Sequence, residues 1–151
     1  MDPLVSLTAA SLALVGTHFA LSHPLRAPLV RVLGAGAFMG VYSLVAAACM
    51  VWMVLAFRAA PAADLGGATG EIGWILATVL SLPALVLFLG SFSGNPALPA
   101  PGAEAAAAKG PHGVFRVTRH PMMWGFALWA LSHIVLWWSW RTLIVAGAVL
   151  I

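Results

Sequence analysis

Five stretches of this chain carry no Asp, Glu, Lys or Arg: 3–25, 32–57, 72–103, 120–140 and 142–151. No other feature limits the fold so strongly. A helix that crosses a bilayer needs ~20 mostly apolar residues, because lipid offers its backbone no hydrogen-bond partners. The first four gaps reach that length and predict helices near 4–21, 34–57, 71–92 and 121–139. The last gap covers ~15 Å at the helical rise, about half a bilayer, and reads as the start of a fifth helix. The expected fold is an all-α, polytopic transmembrane helix bundle with four complete helices and the start of a fifth. Residues 1–151 are expected to form a single transmembrane domain, truncated at its C-terminus. The N-terminal segment lacks the basic start of a cleavable signal, since Asp2 is its only charged side chain.

Composition excludes the other classes. The chain is 62% hydrophobic and 7% charged, against ~45–50% and ~25% in a soluble domain. A normal soluble enzyme and a disordered chain are both ruled out. The net charge of +3 rests on seven Lys and Arg with no basic run, so it is a topology signal and not a nucleic-acid footprint. The single cysteine, Cys49, allows no disulfide framework and no cysteine-based metal site within one chain.

The charges predict orientation. Loops one (22–33) and three (93–120) hold Arg26, Arg31, Lys109, Arg116 and Arg119, whereas loops two and four hold Arg58 and Arg141. The positive-inside rule then places loops one and three in the cytoplasm and the N-terminus outside. Trp52, Trp74, Trp137, Trp138 and Trp140 fall near the outer helix ends, as an interfacial belt would. Loop three opens with turn residues, and Ala103–Ala108 with Glu104 and Lys109 reads either as a short interfacial helix or as a linker. Gly36 and Gly40 form a GxxxG pair that predicts close helix packing. Pro83 should kink the third helix, and Cys49 reads as a small core residue.

With no carboxylate, Lys or Arg inside the spans, histidines are the remaining candidates for chemistry. His18 lies near the cytoplasmic end of the first helix, and His120 begins the fourth on the same side, at similar depth. His133 is roughly 20 Å deeper than His120 and points roughly 220° around the helix from it. His18 and His120 could ligate a haem iron, one from each side. A catalytic zinc would need a third ligand, for which only the loop residues His23 and His112 are at hand. Each ring could instead simply bond a backbone carbonyl. Arg116 and Arg119 stand at a helix N-terminus that favours anions, and would suit a carboxylate, a phosphate or a haem propionate. They could equally anchor the chain at lipid headgroups. Thr118 reads as a cap and Pro121 suits the first helical turn.

The segment Arg119-His120-Pro121-Met122 through Gly125, continued by Leu128-Trp129-Ala130-Leu131-Ser132-His133, resembles the NnrU family of bacterial membrane proteins. Gly16-Thr17-His18 and Gly40-Val41-Tyr42-Ser43-Leu44-Val45 add to the resemblance. It implies a link to nitrite and nitric-oxide metabolism in denitrification. The family is similar to the 15-cis-zeta-carotene isomerase, a membrane haem b protein that isomerises a carotenoid double bond. Carried across, its iron ligands fall on His18 and His120, and a lipophilic substrate is implied. That isomerase has a cysteine close before its second histidine, whereas residues 114–119 here hold none. The Arg-His-Pro start also resembles S-adenosylmethionine-dependent membrane methyltransferases of the isoprenylcysteine carboxyl type, although Met122, Met123 and Trp124 stand where those enzymes carry a tyrosine. A non-catalytic membrane component is the third alternative.

Overall fold

The computed structural model describes residues 2–63, 65, 70–95, 105, 108 and 110–151. Among them it contains six α-helices and no strand. They are α1 (Pro3–Ser22), α2 (Arg26–Leu33), α3 (Ala35–Ala59), α4 (Gly70–Gly90), α5 (Pro121–Leu136) and α6 (Trp140–Leu150). A 3-10 turn, Gly113–Arg116, precedes α5. Apart from Ala105 and Ala108, the alanine run with Glu104 and Lys109 lies outside the described residues.

Among the described residues, three helices are long and apolar enough to cross a membrane: α1 with 20 residues, α3 with 25 and α4 with 21. The expectation of four complete spans is therefore corrected to three, with two shorter apolar helices. The fourth gap holds α5, which has 16 residues, and α6 follows with 11. The cause is local. Trp137 takes an extended backbone (φ −146°, ψ 113°) and ends α5 at Leu136. The Ser139 hydroxyl then accepts the Thr142 N–H at 3.3 Å and starts α6 as its N-cap. Loop one is also more ordered than expected, since it contains α2. Gly34, at φ 80°, ends α2 and begins α3, a turn open to glycine and strained for other residues.

The chain divides into two compact units, residues 1–65 with 139–149 and 151, and residues 66–138 with 150. In the first, α1 packs against α3. Asp2 caps α1 by accepting the N–H groups of Leu4 and Val5 at 2.8 and 3.2 Å. Leu7 and Ala10 of α1 are buried with Met53, Ala56 and Ala60 of α3 and its C-terminal end. Ile144 and Val145 of α6 pack against that cluster. Trp52 Nε1 donates to Ser6 Oγ at 3.1 Å, which sets the start of α1 beside the end of α3. Arg141 was expected in a loop. It sits instead in the first turn of α6, with its guanidinium 4.7 Å from the Phe57 ring centroid and Nη1 donating to the Ala60 carbonyl at 3.4 Å. A cation at a helix C-terminus is favoured by the exposed carbonyls there.

The second unit pairs α4 with α5 through small residues. Gly73, Ala77 and Ala84 are buried on α4, and Pro121, Gly125 and Ser132 on α5. Each triplet lies on one helical stripe, whereas the buried Ala130 stands on the opposite side of α5. Close approach of backbones is how apolar helices gain contact in lipid. A Cβ on Gly125 would stand 3.0 Å from the Ala84 carbonyl oxygen and 3.1 Å from Phe88 N. Helix α4 runs on through Pro83, whose missing N–H leaves the Val79 carbonyl without its usual partner. The GxxxG expectation fails inside the first unit. Nothing in that unit lies within 4 Å of a Cβ built on Gly36 or Gly40. Phe38, Tyr42, Cys49, Met53 and Ala56 form the face toward α1, and the glycines stand roughly 160° around the helix from it.

These contacts predict that Gly125→Ala destabilises the protein by about 1–3 kcal/mol through overpacking against backbone. Gly36→Ala is expected to leave stability unchanged or slightly raised. Thermal unfolding in detergent, followed by circular dichroism, checks both.

Candidate functional site

The five histidines fall into two groups. His23 Nδ1 lies 3.3 Å from the Phe19 carbonyl, His112 Nδ1 lies 3.1 Å from that of Gly110, and His133 Nδ1 lies 2.8 Å from that of Trp129. In each case a ring N–H has a local backbone acceptor, which accounts for the residue without a ligand. Aromatic contacts complete the placement. His23 stacks on Phe19 at 5.8 Å, His112 tilts against Phe115 at 5.9 Å, and His133 against Trp129 at 4.2 Å. The His112 ring also covers Gly94, where a Cβ would stand 2.5 Å from Nε2.

His18 and His120 differ, because neither ring is held by a backbone carbonyl. His18 lies near the end of α1 and is exposed. Its ring meets the Tyr42 hydroxyl on α3, 2.8 Å from Nδ1 and 2.9 Å from Nε2. The two rings approach edge-on at 5.3 Å. Tyr42 also reaches Ser22 Oγ at 3.2 Å and packs near Phe38. The local sequence explains the meeting. His18 and Ser22 are four apart on α1, and Phe38 and Tyr42 are four apart on α3, so each pair shares a face. The adjacent Thr17 hydroxyl donates to the Ala13 carbonyl at 2.6 Å and lies 3.9 Å from Cys49 Sγ, about two turns along α3 from Tyr42.

Tyr42 is the residue that reasoning from sequence missed. A signal existed: it is the chain's one tyrosine, and it stands inside a span. A phenol in apolar surroundings needs a hydrogen-bond partner, and a histidine is a suitable one.

His120 is the N-cap of α5, with φ −127° and ψ 59°. Its carbonyl accepts the Trp124 N–H at 3.1 Å, the first bond of the helix. Thr118 was expected to cap the helix. Its hydroxyl instead accepts the backbone N–H of His120 at 3.2 Å, so it fixes the capping residue and not the helical turn. Pro121 occupies the first helical position, where no N–H is needed, and is buried. The His120 ring is exposed and has no hydrogen bond among the described residues. Arg116 and Arg119 are exposed, and Arg116 Nε donates to the Pro111 carbonyl at 3.5 Å. His18 belongs to the first unit; His120, Arg116 and Arg119 belong to the second.

The donor set fits some cofactors and not others. No group of three or more His, Cys, Asp or Glu side chains gathers among the described residues. A zinc site has three or four protein ligands and so finds no set here. A haem iron takes one axial ligand on each face and is served by two imidazoles. His18 and His120 are the two imidazoles that no backbone carbonyl holds among the described residues, one in each unit.

Fold and site together define an all-helical membrane protein with two accessible histidines at helix ends. The chain belongs to the NnrU family, whose model, described as NnrU protein, matches residues 6–151. No curated protein and no solved structure matches it.

Gly94 tests the segment that leads to Arg116. Its φ of 67° and the overlying His112 ring both oppose a side chain. Gly94→Ala is expected to cost about 1 kcal/mol or more and to speed limited proteolysis between α4 and α5.

Proposed function

We propose that this NnrU-family membrane protein binds haem b, with His18 and His120 as the axial ligands and Arg116 or Arg119 on the propionates. One observation carries the reading. Among the described residues, these two of the five histidines have rings that no backbone carbonyl holds. His18 meets the Tyr42 hydroxyl, and His120 has no hydrogen bond among the described residues. Family membership supports the same choice, through the similarity to a membrane haem b isomerase. Arg116 and Arg119 supply charge-assisted donors for carboxylates at the start of α5. Haem, when bound, supplies a one-electron centre. The chemistry is then a redox step linked to nitrite and nitric-oxide metabolism, or the isomerisation of a lipophilic substrate such as a carotenoid.

The residues of this chain would bind and orient the group. His18 would offer a nitrogen from α1, and His120 one from the cap of α5. The many exposed apolar side chains on α1, α3 and α4 would keep the surroundings dry by contact with lipid. Family membership favours a bacterial inner-membrane location, and charge asymmetry favours an outside N-terminus with both histidines near the cytoplasmic face.

The purified protein is expected to show a Soret band that His18→Ala and His120→Ala each abolish. His23→Ala, His112→Ala and His133→Ala should keep it. A colourless preparation that also fails to take up added haem overturns the reading. Calorimetric binding of S-adenosylmethionine by that colourless protein would favour a methyltransferase instead.

A further inference from the structure

We infer that α2 lies across the end of the α1–α3 pair, at the membrane surface, and that Arg26 and Arg31 bind the headgroups of anionic phospholipids there. Haem is not needed for this role. The placement follows from the register of the two long helices. Trp52 meets Ser6, and Tyr42 meets both His18 and Ser22, so α1 and α3 run antiparallel. At that register Ala35, the first residue of α3, is level with a point about four residues past Ser22, roughly 6 Å beyond the end of α1. The turn 23–25 and α2 both fit into that interval, yet the eight residues of α2 are about 12 Å long. The helix therefore runs mostly sideways, across the pair. Helices α1 and α3 are each long enough to span a bilayer, so the end they share stands at its surface, and α2 with it.

The two sides of α2 differ. It contacts α3 and the end of α1, and Leu29 and Val30 are half-buried. Arg31 stands roughly 150° around the helix from that pair. Arg26 opens the helix and is exposed, as are Arg31 and the apolar Leu25, Val32 and Leu33. Val32, beside Arg31, is 80% exposed. Apolar side chains set next to arginines on a short helix suit a headgroup layer, where each finds its own medium. They suit a soluble phosphate poorly, because Val32 and Leu33 would then face water.

The cations lack a counter-charge. Neither Arg26 nor Arg31 has a hydrogen bond or an ion pair among the described residues, and the described carboxylate of this unit, Asp2, caps the opposite end of α1. The helix dipole disfavours a cation in a first turn, so the stability of α2 does not account for Arg26. A phosphodiester accounts for both residues. A guanidinium offers it paired N–H donors, and the long side chain lets the charge reach a phosphate while its stem lies on apolar surface. The negative potential of an anionic leaflet adds to the attraction.

A fluorophore on Val32→Cys, in a Cys49→Ser background, reads the lipid beside α2. The full chain is reconstituted into phosphatidylcholine vesicles that hold a fixed fraction of brominated phosphatidylglycerol or brominated phosphatidylcholine, with bromine near the glycerol. The brominated phosphatidylglycerol is expected to quench more strongly. Replacing Arg26→Gln and Arg31→Gln should lower that preference by up to about five-fold per arginine, whereas Arg58→Gln, at the far end of α3, should leave it unchanged. Salt tests the parent even if the double variant folds poorly: at about 1 M, where screening acts within about 3 Å, the preference should largely vanish. Equal quenching by the two lipids in the parent overturns the inference, as does a preference that survives both substitutions or high salt. A probe that neither lipid quenches places α2 away from the surface and also overturns it. Loss of the preference on adding millimolar inorganic phosphate would assign the arginines to a soluble anion instead.

Discussion

A polar group in an apolar medium must find its partner inside the protein, and most features of this structure follow from that requirement. The hydroxyls show it most simply. Thr8, Thr17 and Thr78 each donate to the carbonyl four residues back, and Ser91 and Ser132 to the carbonyl three back. These bonds make a polar residue tolerable in a span without any help from another helix. His23 and His133 use the same solution with Nδ1 on the carbonyl four back. Ser11 Oγ and Arg141 Nε are the buried side-chain atoms that remain without a partner among the described residues. Longer polar groups need a neighbouring helix. Tyr42 takes His18 and Ser22 from α1, Trp52 takes Ser6 from α1, and Arg141 takes the Ala60 carbonyl at the end of α3.

The two units meet the requirement differently. The first joins its helices by side-chain bonds that cross between them, supported by a small cluster around Leu7 and Met53. The second relies on backbone proximity. Its contact is built on glycine and alanine, with Phe88 filling the space beside Gly125 and packing on Phe92 and Phe126 at 5.1 and 5.2 Å. Lipid removes most of the hydrophobic reward for burying large side chains, so close van der Waals fit is what remains. Large apolar residues accordingly stay exposed along α3 and α4, among them Leu44, Leu55, Ile72 and Val86.

Much of this was legible in the sequence, and the reasons differ by feature. Gaps in charge report how long a segment can avoid water, so α1, α3 and α4 were found with ends close to the observed ones. Charge gaps say nothing about backbone direction within an apolar run. The break at Trp137–Ser139 therefore lay inside a predicted span, and only the Ser139 cap marked it. Helix α2 escaped because Arg26 and Arg31 were read as loop charges, whereas eight residues that are basic on one side and apolar on another can form a helix. The GxxxG pair misled for a further reason. A motif shows what a helix face permits, and the face that α3 uses is set by Phe38, Tyr42 and Met53 on its other side.

The candidate site was half legible. His18 and His120 stood out because no carboxylate, Lys or Arg occurs in the spans, a fact of composition. Composition cannot rank histidines among themselves, since every one is the same residue in a similar medium. Partners rank them. The carbonyl four residues back is available to any helical histidine whose ring folds against its own helix, as His133 does against Trp129. His18 lies on the face of α1 that meets Tyr42, so its ring is drawn across to α3. His120 is a helix cap, so no turn of its own helix precedes it. The two histidines are thus set apart by position in their helices, one by a facing phenol and the other by standing at the start.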